Sequence, residues 1–136
     1  MPRDESPPIE LPRALRDFLL LYRAGRFWDS HEALEGAWRE TGSDFYQGLI
    51  LYASAWVHWE RGNAHGVRAQ LEKARRRLAD YAPFYLGIDV DAVRAHCLEC
   101  VEEVQRAPDD WPQRIAPHSL GVHARRVRGG EPEVGG

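Results

Sequence analysis

The stretch Asp44–Glu60, DFYQGLILYASAWVHWE, decides the fold. Between its terminal acids it carries no Asp, Glu, Lys or Arg, and Tyr, Leu, Ile, Ala, Trp and Val fall on every side of a helical period. A helix apolar all round lies inside a protein, covered by its neighbours. Ser43 or Asp44 caps its start, and Gly62-Asn63 ends it and caps the next helix.

Working outward, the preceding segment from about Phe27 to Glu40 places Phe27, Leu34 and Trp38 on one stripe, and Thr41-Gly42-Ser43 forms the turn. Before it, Leu11, Leu15, Phe18, Leu19 and Tyr22 form another stripe that Gly25 closes. Downstream, Val67, Leu71, Ala74, Leu78 and Tyr81 line a fourth helix over about Ala64–Tyr81. Its other face is charged, with a Glu72–Arg76 pair at i, i+4, and Pro83 stops it. After a loop at Phe84–Ile88, Asp89 or Asp91 caps a fifth helix with Val93, Cys97, Cys100 and Val104 on its stripe. No strand alternation and no repeat appears. The prediction is an all-α fold: a compact bundle of about five helices over residues 11–106. Residues 1–10 read as a disordered leader and residues 107–136 as a flexible tail in which Trp111 docks in part.

Composition narrows the function. A net charge of −3 argues against a phosphate-driven nucleic-acid binder, which carries a positive excess. No run reaches the roughly 18 uninterrupted apolar residues of a membrane span. No apolar signal segment opens the chain, and two cysteines make no disulfide framework, so a cytoplasmic location is the expectation. Five tryptophans exceed what one small core absorbs, which points to a homodimer.

A set of polar residues stands where apolar ones belong. His31 sits in the middle of the Phe27–Leu34–Trp38 stripe, Glu35 at its edge and Glu32 further round. Gln47, Ser54 and His58 are spaced i, i+7, i+11 on one face of the buried third helix. Folding helices two and three as a hairpin about Gly42 brings His31 level with the Ser54 region, Phe27 with His58 and Trp38 with Gln47. The two polar lines then share one seam and satisfy each other; an unpartnered buried polar group costs about 1–3 kcal/mol. Three readings compete: a hydrogen-bond network that fixes register, a metal site in which His31, Glu35 and His58 hold zinc or iron, and a His–Glu acid–base pair. The segment His31-Glu-Ala-Leu-Glu35 lacks the second histidine of a zinc-protease helix, and Arg39 at i+4 is positioned to hold Glu35 at the surface.

Cys97-Leu-Glu-Cys100 has CxxC spacing but lies inside a helix on its core stripe, so both thiols read as packing. The run Arg125-Arg-Val-Arg128, offset by nearby acids, reads as a solvated tail, and His118 and His123 suggest nothing specific. Gly66, in a first helical turn, reads as a point of close packing.

Four segments taken together resemble the domain-of-unknown-function family 309: Phe27-Trp-Asp-Ser-His-Glu-Ala-Leu-Glu-Gly-Ala-Trp38, Tyr46-Gln-Gly-Leu-Ile50, His58-Trp-Glu-Arg-Gly-Asn63-Ala-His-Gly66 and Gly87-Ile-Asp89. The resemblance spans about Phe18 to Val104. It implies a compact helical bundle of bacterial or archaeal type with no established activity. Motif positions fall on His31, Glu32, Glu35, Trp38, Gln47, Gly48, His58, Gly62, Asn63 and Gly66. The chain departs from the pattern at Gly36 and Val67.

The candidate polar cluster is therefore His31, Glu32, Glu35, Trp38, Gln47, Ser54, His58 and Asn63. The favoured function is a non-catalytic domain that binds a small molecule or a protein through a seam between helices two and three. The alternative is a small metal-dependent hydrolase or related enzyme using His31, Glu35 and His58 with zinc or iron.

Overall fold

A computed structural model describes residues 10–123 and 128–134. Nearly all of the expected leader, and Arg125 to Val127 of the basic run, lie outside the described residues. Five helices follow in chain order: α1 (Arg13–Arg23), α2 (Phe27–Thr41), α3 (Asp44–Glu60), α4 (Ala64–Leu78) and α5 (Val90–Arg106). Each packs on the one before it, as short connections favour.

The helix boundaries follow local chemistry. Ser43 Oγ accepts the Tyr46 N–H at 3.1 Å to start α3, and Asn63 Oδ1 accepts the Gly66 N–H at 3.0 Å to start α4. Asp89 Oδ1 accepts the Ala92 N–H at 2.9 Å to start α5. Gly42 closes α2 at φ +67°, a left-handed conformation that glycine adopts without a Cβ penalty. The helical stretch expected to reach Tyr81 ends at Leu78 and tightens into a 3₁₀ turn over Ala79–Tyr81. The expected loop at Phe84–Ile88 is a small hairpin: β1 (Phe84–Tyr85) pairs antiparallel with β2 (Ile88–Asp89), Tyr85 opposite Ile88.

α3 lies at the centre, as its composition requires. Phe45, Tyr46, Leu49, Tyr52, Ala53, Ala55 and Trp56 have no exposed surface. It approaches α4 closely at Gly48, where a Cβ would come within 2.6 Å of the Leu78 side chain. One core takes in Trp56 and Trp111 fully and Trp38 and Trp59 in part. Only Trp28, at 52% exposure, stands outside it, so the tryptophan count gives no reason for a dimer. The Glu35–Arg39 pair forms at 2.6 Å, whereas no ion pair joins Glu72 to Arg76 among the described residues.

The segment after Arg106 corrects the sequence reading. Its described part is not a loose tail but a strap laid back across the bundle. Trp111, Ile115 and Leu120 are buried in the core. Trp59 Nε1 donates to the Pro112 carbonyl at 3.0 Å, and Arg23 Nη2 donates to the Leu120 carbonyl at 3.0 Å. Val122 bridges Ile88 at the hairpin, and Tyr85 Oη donates to the Gly130 carbonyl at 2.8 Å. The Arg13 N–H donates to Glu133 Oε1 at 2.8 Å, and Ser43 Oγ donates to Glu131. Sequence periodicity missed the strap because an irregular segment docks through isolated side chains and carbonyls, which leave no stripe. Leu120→Ala is expected to cost about 2–5 kcal/mol of unfolding free energy by urea titration, as for a core leucine. A change within about 0.5 kcal/mol would mean that the strap is not part of the fold.

Candidate functional site

The two polar lines read from the sequence are not joined by hydrogen bonds among the described residues. His31, on α2, stacks on the ring of Trp28 with centroids 5.1 Å apart and planes 11° from parallel. Its Nδ1 lies 3.7 Å from Glu35 Oε2, beyond hydrogen-bond range, and is buried without a hydrogen-bond partner. Glu35 is held instead by Arg39 at 2.6 Å. Glu32 is exposed, and Trp38 packs half-buried against the core. Among the described residues no hydrogen bond links His31 to Gln47, Ser54 or His58.

Both ends of the polar line of α3 lie against α4. At its C-terminal end, His58 Nδ1 lies 3.1 Å from Asn63 Nδ2. The ring lies against Gly66, where a Cβ would come 2.5 Å from His58 Cγ. That contact explains a glycine in the first turn of α4: any side chain would displace the imidazole. Burial, followed by the nearby Arg61 charge, lowers the His58 pKa below its ordinary value. At the N-terminal end, Gln47 and Leu51 line a groove of about 520 Å³ with Lys73, Arg76, Arg77, Asp44 and Asp80. Arg77 pairs with Asp44 at 3.4 Å. Lys73, Arg76 and Asp80 make no ion pair among the described residues. Gln47 and His58, expected on a seam between α2 and α3, thus lie against α4. A helix apolar all round has two neighbours to choose between, and sequence spacing fixes which residues share a face, not which neighbour they face.

The metal reading fails on the same geometry. Among the described residues no three His, Cys, Asp or Glu side chains gather as a metal ion requires. His31, Glu35 and His58 form no such group; Glu35 pairs with Arg39, and His58 Nδ1 lies beside Asn63 Nδ2.

A second cluster had no local signal. Tyr52 Oη lies 2.8 Å from His96 Nδ1, and Cys100 Sγ lies 3.3 Å from His96 Nε2. The His118 N–H donates to Tyr52 Oη at 3.2 Å, while Tyr22 Oη donates to the His118 carbonyl at 2.6 Å. Burial raises both phenols far above the ordinary tyrosine range. Burial likewise pushes the Cys97 and Cys100 thiols up to about 12, which leaves them inert packing groups, as their place on the core stripe implied. These partners come from α1, α3, α5 and the strap, so no short motif contains them. The available hint was that Tyr22 and Tyr52 sit on apolar faces, where a buried hydroxyl needs a partner.

The fold and its polar groove define a small all-helical bundle domain. The family model described as Domain of unknown function (DUF309) matches residues 15–70, and this match supports assignment of the chain to that family. No curated protein and no solved structure matches it. The matched residues run from α1 into α4. They include the His58–Asn63–Gly66 contact and stop short of Lys73, Arg76, α5 and the strap.

Asn63→Ala removes both the α4 cap and the His58 partner. It is expected to lower unfolding free energy by about 0.5–2 kcal/mol in urea titration. Gly66→Ala, which forces the imidazole aside, is expected to cost about 1–3 kcal/mol in the same measurement.

Proposed function

We propose that the chain is a non-catalytic binding domain whose seat is the groove between α3 and α4, and that its ligand carries an anionic group. The carrying observation is the lining. Three cations (Lys73, Arg76, Arg77) stand against two acids (Asp44, Asp80), and Lys73 and Arg76 have no ion-pair partner among the described residues. A cleft of about 520 Å³ falls within the size range of small-molecule sites. Leu51 is its single apolar lining residue, so recognition rests on charge and hydrogen bonding rather than on apolar burial. Gln47 adds an amide able to donate and accept.

A binding role fits this lining better than catalysis. An acid–base site pairs a cleft with groups whose titration is shifted by burial or charge. Here the groups so shifted include Tyr22, Tyr52, His96, Cys97 and Cys100, which lie around the strap, and none of them lines the groove. Two buried free thiols agree with a reducing, cytoplasmic setting.

The test is titration of the ¹⁵N-labelled full chain with inorganic phosphate, pyrophosphate and citrate, followed by amide shifts. Saturable shifts centred on residues 44–51 and 73–80 are expected, weakening with added salt. Lys73→Glu with Arg76→Glu is expected to weaken binding by about tenfold or more, equivalent to about 1.4 kcal/mol. No saturable binding of any of the three anions, or undiminished binding by the double variant, overturns the proposal.

A further inference from the structure

The strap is fastened at one point by hydrogen bonds that run through the core. Tyr22 of α1 donates to the His118 carbonyl, the His118 N–H donates to the Tyr52 hydroxyl of α3, and that hydroxyl meets His96 Nδ1 of α5. The His96 ring also hydrogen-bonds the Ala116 backbone. Three helices therefore hold the short segment 116–118, and His96 touches it from two sides.

This arrangement suits a neutral imidazole. Nδ1 accepts the Tyr52 proton, while the ring N–H serves the Ala116 carbonyl. Protonation removes the lone pair through which Nδ1 accepts the Tyr52 proton and sets two N–H donors (His96 and His118) on the one Tyr52 oxygen. It also places a charge between the stacked Trp56 ring, 5.6 Å away, and the His118 ring, 4.9 Å away. Burial and then the His118 charge lower the His96 pKa, against weaker upward pulls from Glu99 and the Ala116 backbone. The other titratable neighbours are Tyr52 on α3, Tyr22 on α1, and Cys97 and Cys100 on α5. Burial keeps all four neutral through this pH range.

We propose that residues 116–122 are a latch operated by His96, whose protonation ends its acceptance of the Tyr52 proton, sets its N–H against that of His118 at the Tyr52 oxygen, and so lifts the strap locally from α1, α3 and α5. The latch stands at a useful place. His118 and Ser119 line both a cavity of about 140 Å³ beside Asp89 and Val93 and one of about 410 Å³ beside Tyr22 and Phe27. Withdrawing these two residues joins the cavities into one opening. A depressed imidazole makes docking strongest above its ordinary pKa of 6.5 and weakens it as pH falls through the lowered value.

Hydrogen exchange of the full chain, corrected for intrinsic rates and compared at pH 7.5 and 5.0, tests this. Protection of residues 116–122 is expected to fall by about tenfold or more at the lower pH while α3 and α4 keep theirs. In His96→Gln, whose amide oxygen still accepts from Tyr52, strap protection is expected to be the same at both pH values. If that variant does not fold, Tyr52→Phe takes its place. It severs the link and is expected to leave the strap poorly protected and pH-independent. Equal protection of the wild-type strap at both pH values, an unchanged pH response in the variant that folds, or simultaneous loss of protection in all five helices overturns the latch.

Discussion

Everything in this molecule follows from the need to cover α3 on all sides. Each large apolar side chain buried there contributes about 1.5–3 kcal/mol, and Tyr46, Leu49, Tyr52 and Trp56 are all fully covered. Two helices can flank a third but cannot enclose it. α2 and α4 take the flanks; α1 reaches α3 through Tyr22 against Tyr52, and α5 reaches it through His96 against Trp56. The remaining side falls to the strap, which meets α3 where Trp59 donates to Pro112. The tail is therefore structural for the same reason that the central helix is apolar.

The polar residues of α3 come out where enclosure is least complete. Gln47, Leu51, Ser54 and His58 are the half-buried positions on an otherwise covered helix, together with Trp59 at its end. They lie beside α4, whose outer residues are long and charged. Long side chains cover with their stems and keep their heads in water, so a boundary built from Lys73, Arg76 and Arg77 leaves a groove with a charged rim. Close approach occurs at Gly48 and Gly66, where the absence of a Cβ lets Leu78 and His58 come in.

The helices were legible because hydrophobic period and caps are local. Ser43, Asn63 and Asp89 each hold the backbone N–H that their position implied. The side-chain composition of the candidate line on α3 was legible too, since spacing along one helix is a property of that helix. Its partner was not. Placing both lines on one seam assumed that the α2–α3 hairpin determined the facing residues, whereas α4 also presses on α3 and takes Gln47 and His58. Glu35 illustrates the opposite case. Its engagement by Arg39 is an i, i+4 contact, and the sequence indicated it directly.

The strap cluster marks where sequence reading ends for a physical reason. A buried phenol leaves a donor and acceptor that must be satisfied, at about 1–3 kcal/mol if they are not. Tyr22 and Tyr52 are placed by helical period, but neither α1 nor α3 supplies the backbone groups that their hydroxyls bond. Both are met by the backbone of His118, 96 and 66 residues further on. The core thus leaves a polar demand that only a distant, irregular segment meets, and an irregular segment has free carbonyls and N–H groups to offer because it makes no helix of its own. The lack of periodicity that made residues 107–123 look loose is what equips them to close the bundle.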